Sequence, residues 1–171
     1  VLLNRVSGII RPSTITALMG PSGAGKTTLL DVLAGRKTRG KITGDITVNG
    51  HPKEQRSYTK ISGYVEQTNC QSEDLTVMEA MEFSSFLRLS QALDEKARTA
   101  FIETIIEMLD LVKVAHERIS DILLHQKKKL AVGAELISSP SILFLDEPTT
   151  GLDSLGALLL IAALQRVRDE M

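Results

Sequence analysis

Cysteine is almost absent from this sequence of 171 residues, tryptophan is absent, and no apolar run is long. A single cysteine, Cys70, excludes a scaffold held by internal disulfides and fits a reducing compartment. The apolar stretch 157–164 is far shorter than the roughly 20 residues of a membrane-spanning helix. We therefore expect that this chain does not itself cross a bilayer, and its start shows no pattern of a secretory signal.

An excess of one charge is also missing, because 20 basic residues oppose 21 acidic ones and the formal net charge is −1. This balance gives no indication of nucleic acid as a partner. We interpret the basic run Lys127–Lys129 as the solvated face of a helix. At 43% apolar and 24% charged residues, the composition is that of a globular domain with one sizeable core, or of part of one.

The first half of the sequence alternates short apolar runs with turn signals. The run 15–19 predicts a strand, and residues 26–34 predict a helix that stops at Gly35. Alternating side chains over 44–50, which end in an Asn-Gly turn, predict an antiparallel excursion. Residues 61–65 predict a further strand.

Helical signals dominate from Thr76, which forms a capping-box pattern with Glu79. A helix is predicted over 126–137, before Pro140, and a strand over 141–145. The order of elements favours a mostly parallel α/β core with a helical insertion over 76–136. Within this insertion we predict a buried helical stripe, formed by Ala97, Phe101, Ile105, Met108 and Val112.

One glycine-rich loop matches the phosphate-binding pattern GxxxxGK[ST] and lies between a predicted strand and a predicted helix. It consists of Gly20, Pro21, Ser22, Gly23, Ala24, Gly25, Lys26 and Thr27. Glycines allow backbone N–H groups to surround phosphate oxygens, and the following helix directs its positive end at them. We expect Lys26 to reach the β- and γ-phosphates, Thr27 to bind Mg²⁺, and Thr28 to hold the α-phosphate of a nucleoside triphosphate.

The predicted strand 141–145 ends in two carboxylates, Asp146 and Glu147. In a parallel sheet these lie at the carboxyl edge, where ligands bind. We expect Asp146 to hold Mg²⁺, directly or through water. Glu147 would orient and polarise the water that attacks the γ-phosphorus.

The run Leu145–Asp153 resembles the Walker B and D-loop sequence of ATP-binding cassette (ABC) ATPases. Residues 63–67 resemble the Q-loop of that family, which implies that Gln67 contacts Mg²⁺ and links the catalytic core to a helical subdomain. The run 17–36 is similar to subfamily G, which includes the pleiotropic drug resistance transporters.

The resemblance implies a P-loop NTPase fold with a RecA-like parallel sheet core, an antiparallel β excursion and a helical subdomain. The chain would be a partial nucleotide-binding domain. Its core ATPase subdomain would comprise residues 1–75 and 137–171, and its helical subdomain residues 76–136.

The implied function is that of the ATP-hydrolysing motor of a membrane exporter, on the cytosolic face of the membrane. The resemblance implies ATP and Mg²⁺ as cofactors, with Lys26, Gln67 and Glu147 as catalytic residues. It also implies two partners, a second nucleotide-binding domain and the transmembrane domains of the transporter. ATP would close the two nucleotide-binding domains on each other, and hydrolysis would reopen them.

The sequence departs from the family at the signature motif, which should be close to LSGGQ. The aligned residues 122–126 read Ile-Leu-Leu-His-Gln and lack the serine and both glycines. We expect the composite site that receives this degenerate signature to hydrolyse ATP poorly. The upstream aromatic residue and the downstream switch histidine of the family are also missing, which predicts weak ATP binding and slow turnover by the chain alone.

Two alternatives stay open at this level. One is a soluble cassette ATPase of translation, DNA repair or chromosome organisation, which shares the Walker and D-loop chemistry. The other is a catalytically silent module that binds nucleotide, which the altered signature favours.

Overall fold

The computed structural model describes residues 2–37, 39–67, 71–90 and 93–171, so Cys70 lies outside the described residues. These residues form six α-helices, two pairs of short strands and one 3₁₀ turn. In chain order the elements are α1 (Lys26–Ala34), β1 (Thr47–Val48), β2 (His51–Pro52), α2 (Gln55–Ile61), β3 (Ser62–Val65), α3 (Val77–Arg88), α4 (Glu95–Met108), the 3₁₀ turn (Val112–Val114), α5 (Leu124–Leu136), β4 (Ile142–Leu145) and α6 (Ser154–Glu170).

Strands β3 and β4 form the parallel pair that orders the fold. Their register runs from Ser62 opposite Ile142 to Val65 opposite Leu145. The pairing continues past β4, because the backbone N–H of Asp146 donates to the carbonyl of Val65 at 3.1 Å. Both strands therefore end at the same edge of the sheet, and the residues that follow them meet there.

The predicted antiparallel excursion is confirmed in the hairpin of β1 and β2. Its two-residue turn consists of Asn49 and Gly50, with φ values of 51° and 81°. Positive φ at both central positions is the geometry of a type I′ turn, which suits the twist of paired strands.

Two helix boundaries follow the local signals in the sequence. Helix α1 spans the predicted residues and ends at Gly35, which adopts a left-handed φ of 74°. The capping box of α3 is complete, since Thr76 N–H donates to Glu79 at 2.8 Å and Glu79 N–H donates to the Thr76 hydroxyl at 3.2 Å. The backbone N–H and the hydroxyl of Thr76 both donate to the Glu79 carboxylate and lower the pKa of Glu79, because they favour its ionised form.

The main hydrophobic core lies among α3, α4, α5 and α6, and β3 packs on it through Val65. Its fully buried members include Met81, Ile102, Leu130 and Leu160. The predicted stripe on α4 is only partly right. Ile105 and Met108 are buried, but Ala97 is exposed in the first turn, Phe101 is half-buried, and Val112 is 60% exposed because α4 ends before it.

Other predicted boundaries also differ from the structure. The run 15–19 is exposed and forms no strand among the described residues, because it finds no hydrogen-bonding partner there. Helix α5 begins at Leu124, two residues earlier than predicted. Residues 55–61 form α2 and bury Tyr58, so the strand predicted from residue 61 begins at Ser62. Helix α6 was not predicted from the sequence, and the Asp153 carboxylate caps it by accepting from the N–H of Gly156 at 2.9 Å.

The described helices do not include one that is both long enough and apolar enough to span a bilayer.

Candidate functional site

The glycine-rich loop forms a turn in front of α1. The N–H of Ala24 donates to the carbonyl of Pro21 at 3.2 Å, and Gly23 and Gly25 have φ values of 81° and 94°. A side chain would strain both positions, which explains the glycines. The predicted loop residues are thus brought into one turn; Ser22 and Gly20 belong to it and are exposed.

Lys26 folds back over this loop. Its ammonium donates to the carbonyls of Gly20 at 2.9 Å and of Pro21 at 3.1 Å. A bound anion can replace these carbonyls as the acceptor, so the ammonium is already placed to bind one. Thr28, to which the sequence assigns the α-phosphate, is half-buried in the first turn of α1.

Thr27 and Asp146 are 119 positions apart in sequence and meet at the edge of the parallel pair. The Thr27 hydroxyl donates to Asp146 Oδ1 at 3.1 Å. Two adjacent ligands of an octahedral Mg²⁺, with bonds of about 2.1 Å, lie about 3.0 Å apart. The spacing of these two oxygens and their hard-donor character therefore fit a magnesium ion.

Glu147 is held in a specific orientation beside this pair. It adopts a left-handed φ of 46°, which is uncommon for a residue other than glycine. Its Oε2 accepts from Gln67 Nε2 at 3.1 Å and from the Thr150 hydroxyl at 3.1 Å. These two hydrogen bonds fix the rotamer of the carboxylate.

The structure thus brings five of the residues predicted for the site to one edge: Lys26, Thr27, Gln67, Asp146 and Glu147. Gln67 contacts Glu147 in this structure, whereas its predicted contact with Mg²⁺ stays a prediction. Thr150 was not predicted as part of the site. Its position three residues after Glu147, in a turn closed by the bond from Thr150 N–H to the Glu147 carbonyl, is the local signal that could have indicated it.

A cluster around Tyr64 ties α1 to β3 behind the site. The Tyr64 hydroxyl donates to Asp31 Oδ1 at 3.1 Å, and the Arg36 guanidinium lies 4.1 Å from the Tyr64 ring centroid. Arg36 also forms an ion pair with Glu66, which raises the pKa of Arg36. Burial, followed by the carboxylates of Asp146 and Asp31, raises the pKa of Tyr64. No local pattern predicts this cluster, because its members lie on two segments that are distant along the chain.

The basic run on α5 is not a solvated face, which corrects the interpretation from sequence. Lys128 is 9% exposed and Lys129 is 1% exposed. Lys128 Nζ donates to the carbonyl of Gln67 at 2.5 Å. Lys129 Nζ lies 3.6 Å from Asp110, and burial lowers the pKa of Lys129. The core packing of α5 turns this side of the run inward, which its charge pattern does not reveal.

Residues 122–126, which the sequence aligns with the family signature, span the start of α5. Leu123 is the N-cap and its N–H donates to the Gln126 side chain at 2.8 Å. Leu123 and Leu124 are 62% and 47% exposed. They line an open cavity of about 380 Å³ together with Gly151, Leu152 and Asp153, among other residues. The helix terminus therefore presents apolar side chains where the family signature would present a hydroxyl and glycine backbone.

Comparison with known proteins identifies the group to which this arrangement is similar. Residues 3–150 match the family model described as "ABC transporter". The chain is 45% identical over 174 residues to ABC transporter G family member 32 of Oryza sativa subsp. japonica, with 99% of this chain and 12% of that protein covered. It is also 45% identical to Pleiotropic drug resistance protein 1 of Nicotiana tabacum, with the same coverage. The chain thus spans about an eighth of the length of these relatives.

A solved structure shows the same fold. The chain superposes with a TM-score of 0.82 on cbiO1 from Clostridium perfringens, described as part of the ABC transporter complex cbiONQ. The match covers 94% of this chain and 64% of that one at 24% identity, and it supports the fold alone. The predicted P-loop fold with parallel and antiparallel strands is confirmed.

The bond between Thr27 and Asp146 generates a prediction about Mg²⁺. Thr27→Val keeps the branched shape and removes the hydroxyl, so the gain in ATP affinity on adding Mg²⁺ should fall about tenfold or more, in line with about 1.5–3 kcal/mol for a hydrogen bond to a charged group. Thr27→Ser keeps the oxygen and should retain that gain. Titration calorimetry with and without Mg²⁺ measures it, and a full Mg²⁺ effect in Thr27→Val would contradict the assignment.

Proposed function

Because the chain belongs to the ABC transporter family, we propose that it is the nucleotide-binding domain that powers a membrane exporter by binding and hydrolysing ATP. The observation that carries this proposal is the convergence of the glycine-rich loop with the residues that end β3 and β4. Three separate segments meet there: α1 with Lys26 and Thr27, the end of β3 with Gln67, and the end of β4 with Asp146 and Glu147. Their chemistry suits a triphosphate better than any other ligand class.

The glycine-rich loop and the start of α1 bind the phosphates in this proposal. The loop N–H groups and the positive end of α1 surround the phosphates, and Lys26 exchanges its bonds to Gly20 and Pro21 for phosphate oxygens. Thr27 and Asp146 would hold Mg²⁺, which neutralises charge on the phosphate oxygens when bound. Gln67 completes this set from the end of β3.

Glu147 is the residue that activates water in this proposal. Two hydrogen bonds, from Gln67 and Thr150, both fall on Oε2. Oε1 is then the oxygen that accepts a proton as water attacks the γ-phosphorus and the bond to the bridging oxygen of ADP breaks. Because its rotamer is already fixed, this carboxylate needs little reorganisation at the moment of reaction.

Two exposed apolar surfaces support the proposed partners. The first lies at the degenerate signature and the start of α6, where Leu123, Leu124, Leu155 and Leu158 are all exposed. Large exposed apolar patches mark interaction sites. We assign this surface to the second nucleotide-binding domain, whose glycine-rich loop would face it.

The second surface is on α3, where Phe83, Phe86 and Leu87 are 60%, 56% and 65% exposed. Their spacing places them on one face of the helix. We assign this face to the transmembrane domains, which would hold the chain at the cytosolic side of a membrane. The G-family and drug-resistance names of the relatives favour this exporter over a soluble cassette ATPase.

The central role of the loop is tested by Lys26→Ala. Losing the ammonium should weaken MgATP binding at least tenfold in titration calorimetry, since a charge-assisted hydrogen bond contributes about 1.5–3 kcal/mol. Lys41→Ala, which removes an exposed lysine outside the loop, is the matched control and should bind as the parent does. Equal affinity of Lys26→Ala and the parent would show that the loop is not the site.

The altered signature predicts unequal sites in the assembled transporter. The site built from Lys26, Asp146 and Glu147 of this chain should turn over when the partner supplies an intact signature. The site that receives Leu123 and Leu124 should be slow, because side chains replace the hydrogen-bond donors to phosphate. Glu147→Gln should therefore abolish most steady-state hydrolysis, and the equivalent change in the partner should abolish little. Equal losses would contradict this asymmetry.

A further inference from the structure

Lys128 links the start of α5 to the residue that orients Glu147. Its ammonium donates to the backbone carbonyl of Gln67 at 2.5 Å, and the Gln67 side chain donates to Glu147 Oε2 at 3.1 Å. We propose that Lys128 is a positioning residue for ATP hydrolysis, which holds the Gln67 backbone so that its amide stays on the Glu147 carboxylate. This inference rests on the function proposed above for the site.

The burial of Lys128 shows that its bond is specific. At 9% exposure, its ammonium has lost most of its water and needs a protein acceptor to offset that cost. Its neighbours on α5 use carboxylates, since Lys127 binds Glu73 at 3.1 Å and Lys129 faces Asp110 at 3.6 Å. The bond recorded for Lys128 goes instead to a backbone carbonyl. A charged donor makes this a strong hydrogen bond.

Gln67 needs this anchor because of its place in the chain. The β3–β4 pairing fixes the backbone as far as Val65, whose carbonyl accepts from Asp146 N–H at 3.1 Å. Gln67 lies two residues beyond that bond and is exposed. An exposed amide on an unanchored backbone loses conformational freedom when it must stay in one orientation. Lys128 fixes that backbone in advance, and this preorganisation benefits the step that needs Glu147.

The same lysine connects this site to the surface assigned to the partner. Lys128 is four residues from Leu124, where α5 begins, so both lie on one short stretch of rigid helix. A shift of α5 when a partner contacts Leu123 and Leu124 would move Lys128 and with it the Gln67 carbonyl.

The first experiment measures hydrolysis in the assembled transporter. Lys128→Met keeps the apolar stem and removes the ammonium, so it should lower kcat about tenfold and change the MgATP Kd less than about twofold. Lys128→Arg keeps a donor and should recover most of the rate. Lys127→Met is the matched control and should behave as the parent. In a Gln67→Ala background, Lys128→Met should add no further loss, because both changes break the same link.

Several outcomes would overturn the proposal. One is full activity of Lys128→Met. Another is a loss from Lys128→Met that adds fully to the loss from Gln67→Ala. The third is a fall in kcat that is as large in Lys128→Arg as in Lys128→Met. If the parent itself does not hydrolyse ATP, or if Glu147→Gln matches the parent rate, then the function proposed for the site is wrong instead. If the parent hydrolyses ATP and Glu147→Gln does not, the function proposed for the site stands, and the Lys128 variants then test the role of Lys128 alone.

A second measurement needs no turnover and reads the position of Gln67 directly. In NMR spectra of the 171-residue chain, the side-chain amide of Gln67 should give shifted, dispersed signals. Lys128→Met should move them toward the values of a mobile glutamine, whereas Lys127→Met should leave them in place. Unchanged Gln67 signals in a folded Lys128→Met variant would contradict the proposal. If that variant does not fold, Lys128→Gln provides the same test with a neutral polar side chain.

Discussion

The parallel register of β3 and β4 is the constraint on which the candidate site depends. It aligns Val65 with Leu145 and extends to the bond between Asp146 N–H and the Val65 carbonyl. Gln67 and Glu147, 80 positions apart in sequence, can therefore reach each other. A slip of one residue in this register would turn the side chains of one strand to the opposite face and separate the pair.

The helical part of the chain is joined to this edge through polar contacts made by α5. Glu135 on α5 accepts from the Tyr64 backbone N–H at 3.3 Å and pairs through both oxygens with Arg88 on α3. Lys128 adds a contact to the backbone of Gln67, two residues past the end of β3. The helices thus do more than cover the sheet, because two residues of α5 hold the strand and loop that carry the site.

Local signals in the sequence were enough to predict the parts of the fold that depend on neighbouring residues. The limits of α1, the hairpin at Asn49 and the capping box at Thr76 all follow from the backbone preferences or side-chain chemistry of a few adjacent residues. The glycine-rich pattern and the two carboxylates after the last predicted strand indicated most of the candidate site residues, and the family resemblance added Gln67. These residues meet because the carboxyl ends of parallel strands lie at the same edge of a sheet. The predicted parallel fold therefore places the residues that follow β3 close to those that follow β4.

Features set by tertiary packing were missed. The apolar run 15–19 gives no information about whether a strand lies beside it, and it stays exposed. The charges of Lys128 and Lys129 predict that both side chains lie in solvent, but the packing of α5 buries them. The part played by Thr150 depends on the left-handed backbone of Glu147, which residue preferences alone do not predict.

Amide hydrogen exchange with and without MgATP tests the central claim most directly, because it reports on the loop and both strand ends at once. Binding at the proposed site should slow exchange in the loop 21–28 and in the segment 146–150, and leave the exposed turn at Asn49 unchanged. Unaltered exchange in both segments at saturating MgATP, or protection confined to another part of the chain, would contradict the account.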